Sequence, residues 1–161
     1  MIAILISVLF YFSPEALSTR LKTPTPVPSF SYMDINGDTL DLNKFKNKVV
    51  ILNFWASWSR TSRLENKNMV RLYNKYKNNS MVEFVSISLD TDEANWKTAI
   101  EEDELTWKNQ LCDFKKYESP MAKSFKVSTI PSVFLINKSS TITKSSNKVA
   151  EIENEIDALL K

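Results

Sequence analysis

Apolar and polar positions along the chain change period several times, and each change marks an element. Residues 30–34 (Phe-Ser-Tyr-Met-Asp) alternate with the two-residue period of a half-covered strand. Asn36-Gly37 follows, a hairpin signal that contains the only glycine in the protein, and Thr39 to Leu42 is the predicted return strand. Val49 to Trp55 (Val-Val-Ile-Leu-Asn-Phe-Trp) is a nearly continuous apolar run, as expected of a strand covered on both faces. From Ser59 to about Asn78 the period becomes helical, with Met69, Leu72, Tyr73 and Tyr76 on one face. Val82 to Leu89 reads as a strand, and Asp92 is placed to cap a helix through Trp96 and Ile100. A weaker strand at Gln110 to Cys112 and a short helix from Pro120 to Phe125 come next. Strands at Ser132 to Asn137 and Thr141 to Lys144 precede a closing amphipathic helix, Val149 to Leu160. Strands alternating with helices, then a final hairpin and helix, predict an α/β sandwich with a central mixed sheet.

Upstream of this pattern the chain changes character. Ile2 to Phe12 is apolar but for Ser7, about half the roughly 20 residues a membrane-spanning helix needs. Residues 1–18 therefore read as a signal peptide or a short membrane anchor, with Ala16-Leu17-Ser18 as a cleavage site. No Lys or Arg precedes the run, and no cysteine follows it for lipoprotein processing. The competing reading is a stray hydrophobic helix at the edge of the domain. Thr23-Pro24-Thr25-Pro26-Val27-Pro28 has the alternating proline of a stiff spacer, so residues 19–28 are the expected linker and 29–161 the domain. Location outside the cytoplasm is the corresponding expectation: periplasmic, secreted, or tethered to a membrane through residues 2–12.

Composition removes several chemistries. Lys and Arg number 21 against 19 Asp and Glu, a net charge of +2, so there is no electrostatic case for nucleic acid. With no histidine, Ser-His and Cys-His pairs and imidazole metal ligands are excluded. With one cysteine, Cys112, the chain can form neither an intramolecular disulfide nor a thiolate metal site, and no metal or cofactor is expected.

The stretch Asn53-Phe54-Trp55-Ala56-Ser57-Trp58-Ser59-Arg60-Thr61-Ser62-Arg63 resembles the active-site segment of thioredoxin-like proteins, above all the exported TlpA/ResA branch, where the same lead-in runs into Cys-x-x-Cys. Thr129 to Asn137 is similar to that family's cis-proline loop and following strand, and the Asn36-Gly37 hairpin with Leu40, Leu42 and Lys48 fits its lead-in. The resemblance implies a thioredoxin-like α/β/α sandwich with an N-terminal β-hairpin extension. It also implies a role in cell redox homeostasis carried by two cysteines, and here Ser59 and Ser62 stand at both positions. A serine hydroxyl neither ionises near neutral pH nor forms a disulfide, and no histidine is present to activate it. Glu65 matches an acidic residue that tunes thiol chemistry in some ResA-like members. Lys67 stands where relatives commonly carry a helix-kinking proline, and the helix is expected to be straighter for it. The pair Trp55 and Trp58 matches aromatics that border the family's substrate surface, and the resemblance makes the Ile130–Pro131 bond cis.

Each of these residues also has a plainer reading. Ser59 is a good helix N-cap and Ser62 fits the same first turn. Glu65 can complement the helix dipole, whereas Arg60 and Arg63 oppose it and hint at an anion or a partner. Cys112, between Leu111 and Phe114, reads as a small buried hydrophobe. The leading expectation is a thioredoxin-fold protein without its redox pair, acting as a non-catalytic extracytoplasmic module. An extended peptide or protein would bind a groove of Trp58, Ser59, Arg60, Ser62, Ile130 and Pro131. The alternative is a thiol-disulfide oxidoreductase of the same family in which serine has replaced both cysteines. A redox role through Cys112 alone is a third reading, and a serine hydrolase ranks last for want of a base.

Overall fold

A computed structural model of the protein describes residues 25–28 and 31–161; the signal or anchor expectation for residues 1–18 lies outside them. The strands are β1 (Thr25–Pro26), β2 (Ser31–Met33), β3 (Thr39–Asp41), β4 (Val49–Trp55), β5 (Val82–Ser88), β6 (Asn109–Cys112), β7 (Ser132–Ile136) and β8 (Thr141–Ser146). The helices are α1 (Arg60–Tyr76), α2 (Glu93–Glu102), α3 (Pro120–Ser124) and α4 (Val149–Leu160). A six-stranded sheet runs in the order β1-β8-β7-β4-β5-β6, with β4, β5 and β6 parallel and the others antiparallel to their neighbours. This is the mixed sheet the sequence predicts.

All seven residues of β4 are buried, and their alternation divides the core in two. Val49, Ile51 and Trp55 enter one layer with α1, α2 and α4; Val50, Leu52 and Phe54 enter the other with α3 and Leu40 and Leu42 from the hairpin. The stripe that buries α1 is Ser62, Asn66, Met69, Leu72 and Tyr76, spaced by three and four residues, and the helix runs unbroken through Lys67. Ion pairs and a Tyr76–Asp157 hydrogen bond of 2.6 Å tie α1 to α4 across the outer surface.

Two expectations near the N-terminus are corrected. The hairpin loop is longer than a two-residue Asn-Gly turn, because Met33 pairs with Thr39 across five intervening residues. The Asp34 carboxylate organises that loop by accepting from the amides of Asn36 and Asp38, while Gly37 takes the left-handed φ of 83°. The second correction concerns the linker. Its last four residues do not stand off from the domain: Thr25–Pro26 pair with Thr141–Ile142, and the Val27 amide donates to the Ser140 carbonyl at 3.1 Å. An edge strand tolerates proline, and Val27 also packs on the second core layer, so the alternating prolines suit a short edge strand as well as a spacer.

Candidate functional site at the Ser59 turn

The parallel strands end where α1 begins, and this end of the sheet gathers most of the predicted site. Ser59 caps α1: its Oγ accepts from the Ser62 amide at 3.2 Å and lies 3.2 Å from the Thr61 hydroxyl. Ser59 is buried and so is Ser62, but the Ser62 hydroxyl has no hydrogen-bond partner. Ser62 is the first member of the buried α1 stripe, so a hydroxyl is enclosed there without a hydrogen-bond partner. Ser62→Ala is accordingly expected to raise stability by about 1 kcal/mol, since it removes an unsatisfied buried polar group at little cost in volume. Chemical denaturation measures it; a loss of stability would mean the hydroxyl has a partner.

Ile130 and Pro131 arrive at the same place from β7. Phe54 stands opposite Ser132, the first residue of β7, in the antiparallel β4–β7 pair, so the Ile130–Pro131 loop enters the sheet at the end where β4 runs out. Ile130 packs on the core layer that contains Ala56, and the Ile130–Pro131 peptide bond is cis. Trp55 is wholly buried, contrary to a place on the surface, because β4 carries it into the interior. Trp58, three residues on, is 52% exposed, with the Lys116 ammonium 5.9 Å from its ring centroid. Two concavities among the described residues lie elsewhere, at the far end of the strands, lined in part by Val50 and Ile136 and by Glu83 and Asn109.

Other candidates take structural roles. Arg63 donates to Asp103 at 2.5 Å and to Glu102 at 2.8 Å, bonds that hold its guanidinium charged, so it ties α1 to the end of α2. It is not a free cation for an anion. Arg60 is exposed and forms no ion pair among the described residues. Glu65 reaches across to α4, where Lys148 offers no cap: one carboxylate oxygen accepts from the Val149 amide at 2.9 Å, the other from Asn68. A long side chain from one helix thus caps another, and spacing within α1 gives no hint of it.

Sequence reasoning missed Asp90. It is 2% exposed and accepts from the Ser57 amide at 3.0 Å, the Ser57 hydroxyl at 2.6 Å and the Ser88 hydroxyl at 2.5 Å. The loop that presents Trp58 and Ser59 is therefore bolted to the end of β5. The Ser86-x-Ser88-x-Asp90 alternation was the available signal.

Cys112 closes the same end of the sheet. It is half-buried, its thiol donates toward the Asp90 carbonyl at 3.6 Å, and burial pushes its pKa up to about 11. At pH 8 the thiolate fraction is then about 100-fold below that of an ordinary cysteine, and labelling of the native protein by a thiol reagent is expected to slow accordingly. Rapid labelling would restore the redox reading of Cys112. The sign is that of an acid whose proton the fold retains: the associated stability is complete at neutral pH and is lost as pH rises from about 9 towards about 11.

A family model for thioredoxin-like proteins matches residues 47–142, from just before β4 into β8, and so includes both the Ser59 turn and the Ile130–Pro131 loop. The chain belongs to the thioredoxin-like family. Thiol-disulfide oxidoreductase ResA of Bacillus cereus is 26% identical to this thioredoxin-like chain over 151 residues, 94% of the chain and 82% of that protein. Two solved structures are each 32% identical with a TM-score of 0.78 and match 84% of the chain: the C-terminal domain of a thiol-disulfide oxidoreductase from Bacteroides thetaiotaomicron, 94% covered, and one from Bacteroides fragilis, 99% covered. The thioredoxin-like fold is thus that of thiol-disulfide oxidoreductases, on a chain with a single cysteine.

Proposed function

We propose that this thioredoxin-like protein is a non-catalytic module that binds an extended peptide or protein segment at the Ser59 turn, outside the cytoplasm. One observation carries the reading. Serine stands at both positions matching the family's cysteines, one committed to a helix cap and the other sealed in the core, while the turn and the Ile130–Pro131 loop lie at the same end of the sheet. The hydroxyls offer no route to disulfide exchange, which needs a thiolate. What remains is a framework with Trp58 exposed and backbone groups at its rim, suited to an extended chain. The extracytoplasmic location draws its support from the apolar segment at residues 2–12 and from the likeness to ResA.

The test pairs two measurements on the full chain. Titration with an unstructured, cysteine-free peptide, followed by NMR, is expected to shift the Trp58 indole and the amides of Arg60, Ile130 and Ser132. Insulin-disulfide reduction is expected to proceed no faster than with the chemical reductant alone. Shifts confined elsewhere, or turnover of insulin, would defeat the proposal.

The unpartnered Ser62 hydroxyl favours a second reading, an oxidoreductase whose two cysteines have been replaced, because a sulfur atom suits that enclosed position better than a hydroxyl does. The codons at positions 59 and 62 of the source gene decide between the two.

A further inference from the structure

Granting the partner-binding role proposed above, we infer that the segment it receives is acidic. At the Ser59 turn the exposed Trp58 ring meets the Lys116 ammonium, and the neighbours of these two residues in the chain include Arg60, Lys115 and Tyr117. Trp58 is 52% and Tyr117 37% exposed, and the Lys116 ammonium over the Trp58 ring brings the Lys116–Glu118 turn against the start of α1. Arg60, Lys115 and Lys116 are all exposed, and none has a carboxylate partner among the described residues.

Two of the three carboxylates here are committed, and the third, Asp113, keeps one buried oxygen without a hydrogen-bond partner. Glu118 pairs with Lys123 at 2.5 Å, and Asp90 is buried among serine donors. Asp113 accepts from the Lys115 amide through Oδ1, while its Oδ2 is buried. Arg63, Arg71, Lys75 and Lys144 meet carboxylates, whereas Lys46, Lys67, Lys77 and Lys126 are exposed without one among the described residues; what marks this surface is that its cations gather beside an exposed indole. The positive end of the 17-residue helix α1 adds potential of the same sign at the same place.

An extended chain whose side chains alternate between apolar and acidic fits these features together. Its apolar residues would lie on Trp58 and Tyr117, and its carboxylates would meet the planar fork of Arg60 and the ammonium of Lys116. Both charges are exposed, so the preference must weaken with salt.

The test compares two ten-residue peptides with the same alternating apolar residues, one with Glu and one with Lys between them, each titrated into the full chain and read from the Trp58 indole resonance. The Glu peptide is expected to bind about tenfold tighter at low salt, with the margin shrinking as salt is added. The double variant R60E/K116E, with an unchanged melting temperature as its folding control, is expected to reverse the order. Equal binding of the two peptides overturns the acidic preference and leaves the binding role standing; binding of neither overturns both. A Glu preference that survives R60E/K116E overturns the assignment to this surface.

Discussion

Replacing Asp90 by alanine is expected to lower the unfolding midpoint by about 6–12 °C, a loss of about 3 kcal/mol. The expectation follows from what the side chain holds. Asp90 is buried with no cation beside it, and its charge is stabilised by three donors, two from Ser57 and one from Ser88. Removing it leaves those donors facing a space from which water is largely excluded, and each carries a desolvation penalty. Asp90→Asn keeps the shape but turns an amide group towards at least one donor, so it is expected to recover less than half of the loss. The effect should also be local. Ser57 is the anchor of the segment bearing Trp58 and Ser59, so iodide quenching and amide exchange at residues 57–60 are expected to rise before global unfolding does. A midpoint shift under about 2 °C would show that the serines find other partners.

The second large effect is a gain. S59C/S62C is expected to form a disulfide and to reduce insulin, where the unaltered chain is expected to do neither. The geometry is already in place: two residues separate the positions, one the N-cap and the other in the first turn of α1, and the cap keeps that turn helical. A thiol introduced at position 59 would sit at a helix N-terminus next to Arg60, both of which favour the thiolate. At pH 7 it is expected to react with a thiol reagent more than about 1000-fold faster than Cys112, so the two are separable by rate alone. S59C alone should capture a substrate as a mixed disulfide and fail to release it, because no resolving thiol follows. If the double variant is folded, judged by an unchanged sheet and melting temperature, yet inert, the surface at the Ser59 turn has changed in more than its sulfur atoms.

How much of this was legible depends on how local the cause is. The bounds of β4 and α4 follow from hydrophobic period, and Asp92 as the cap of α2 follows from residue type; the Asp92 carboxylate does accept from the Asn95 amide at 2.8 Å. The Ser59 cap was legible for the same reason. The burial of Ser62 was also within reach, since counting back from Met69 by the helical period lands on it. What was not legible spans long separations in the chain: Glu65 capping α4 84 residues away, Arg63 bound to Asp103, and Ser57 fixed by Asp90 33 residues on. No local pattern announces these, because the partner is chosen by how the elements pack. The pairing of Thr25–Pro26 with β8 belongs to the same class: proline composition indicates extended chain and does not say what lies beside it.

That pairing also gives the domain a front and a back. Through Thr25 opposite Ile142, Ile142 opposite Ile136 and Ile136 opposite Val50, the polypeptide enters level with the start of β4. The Ser59 turn lies beyond the other end of that strand, roughly 17 Å away at the usual rise per residue. Any attachment made by the chain ahead of Thr25 therefore joins the domain at its rear, at the end of the sheet opposite the Trp58 surface.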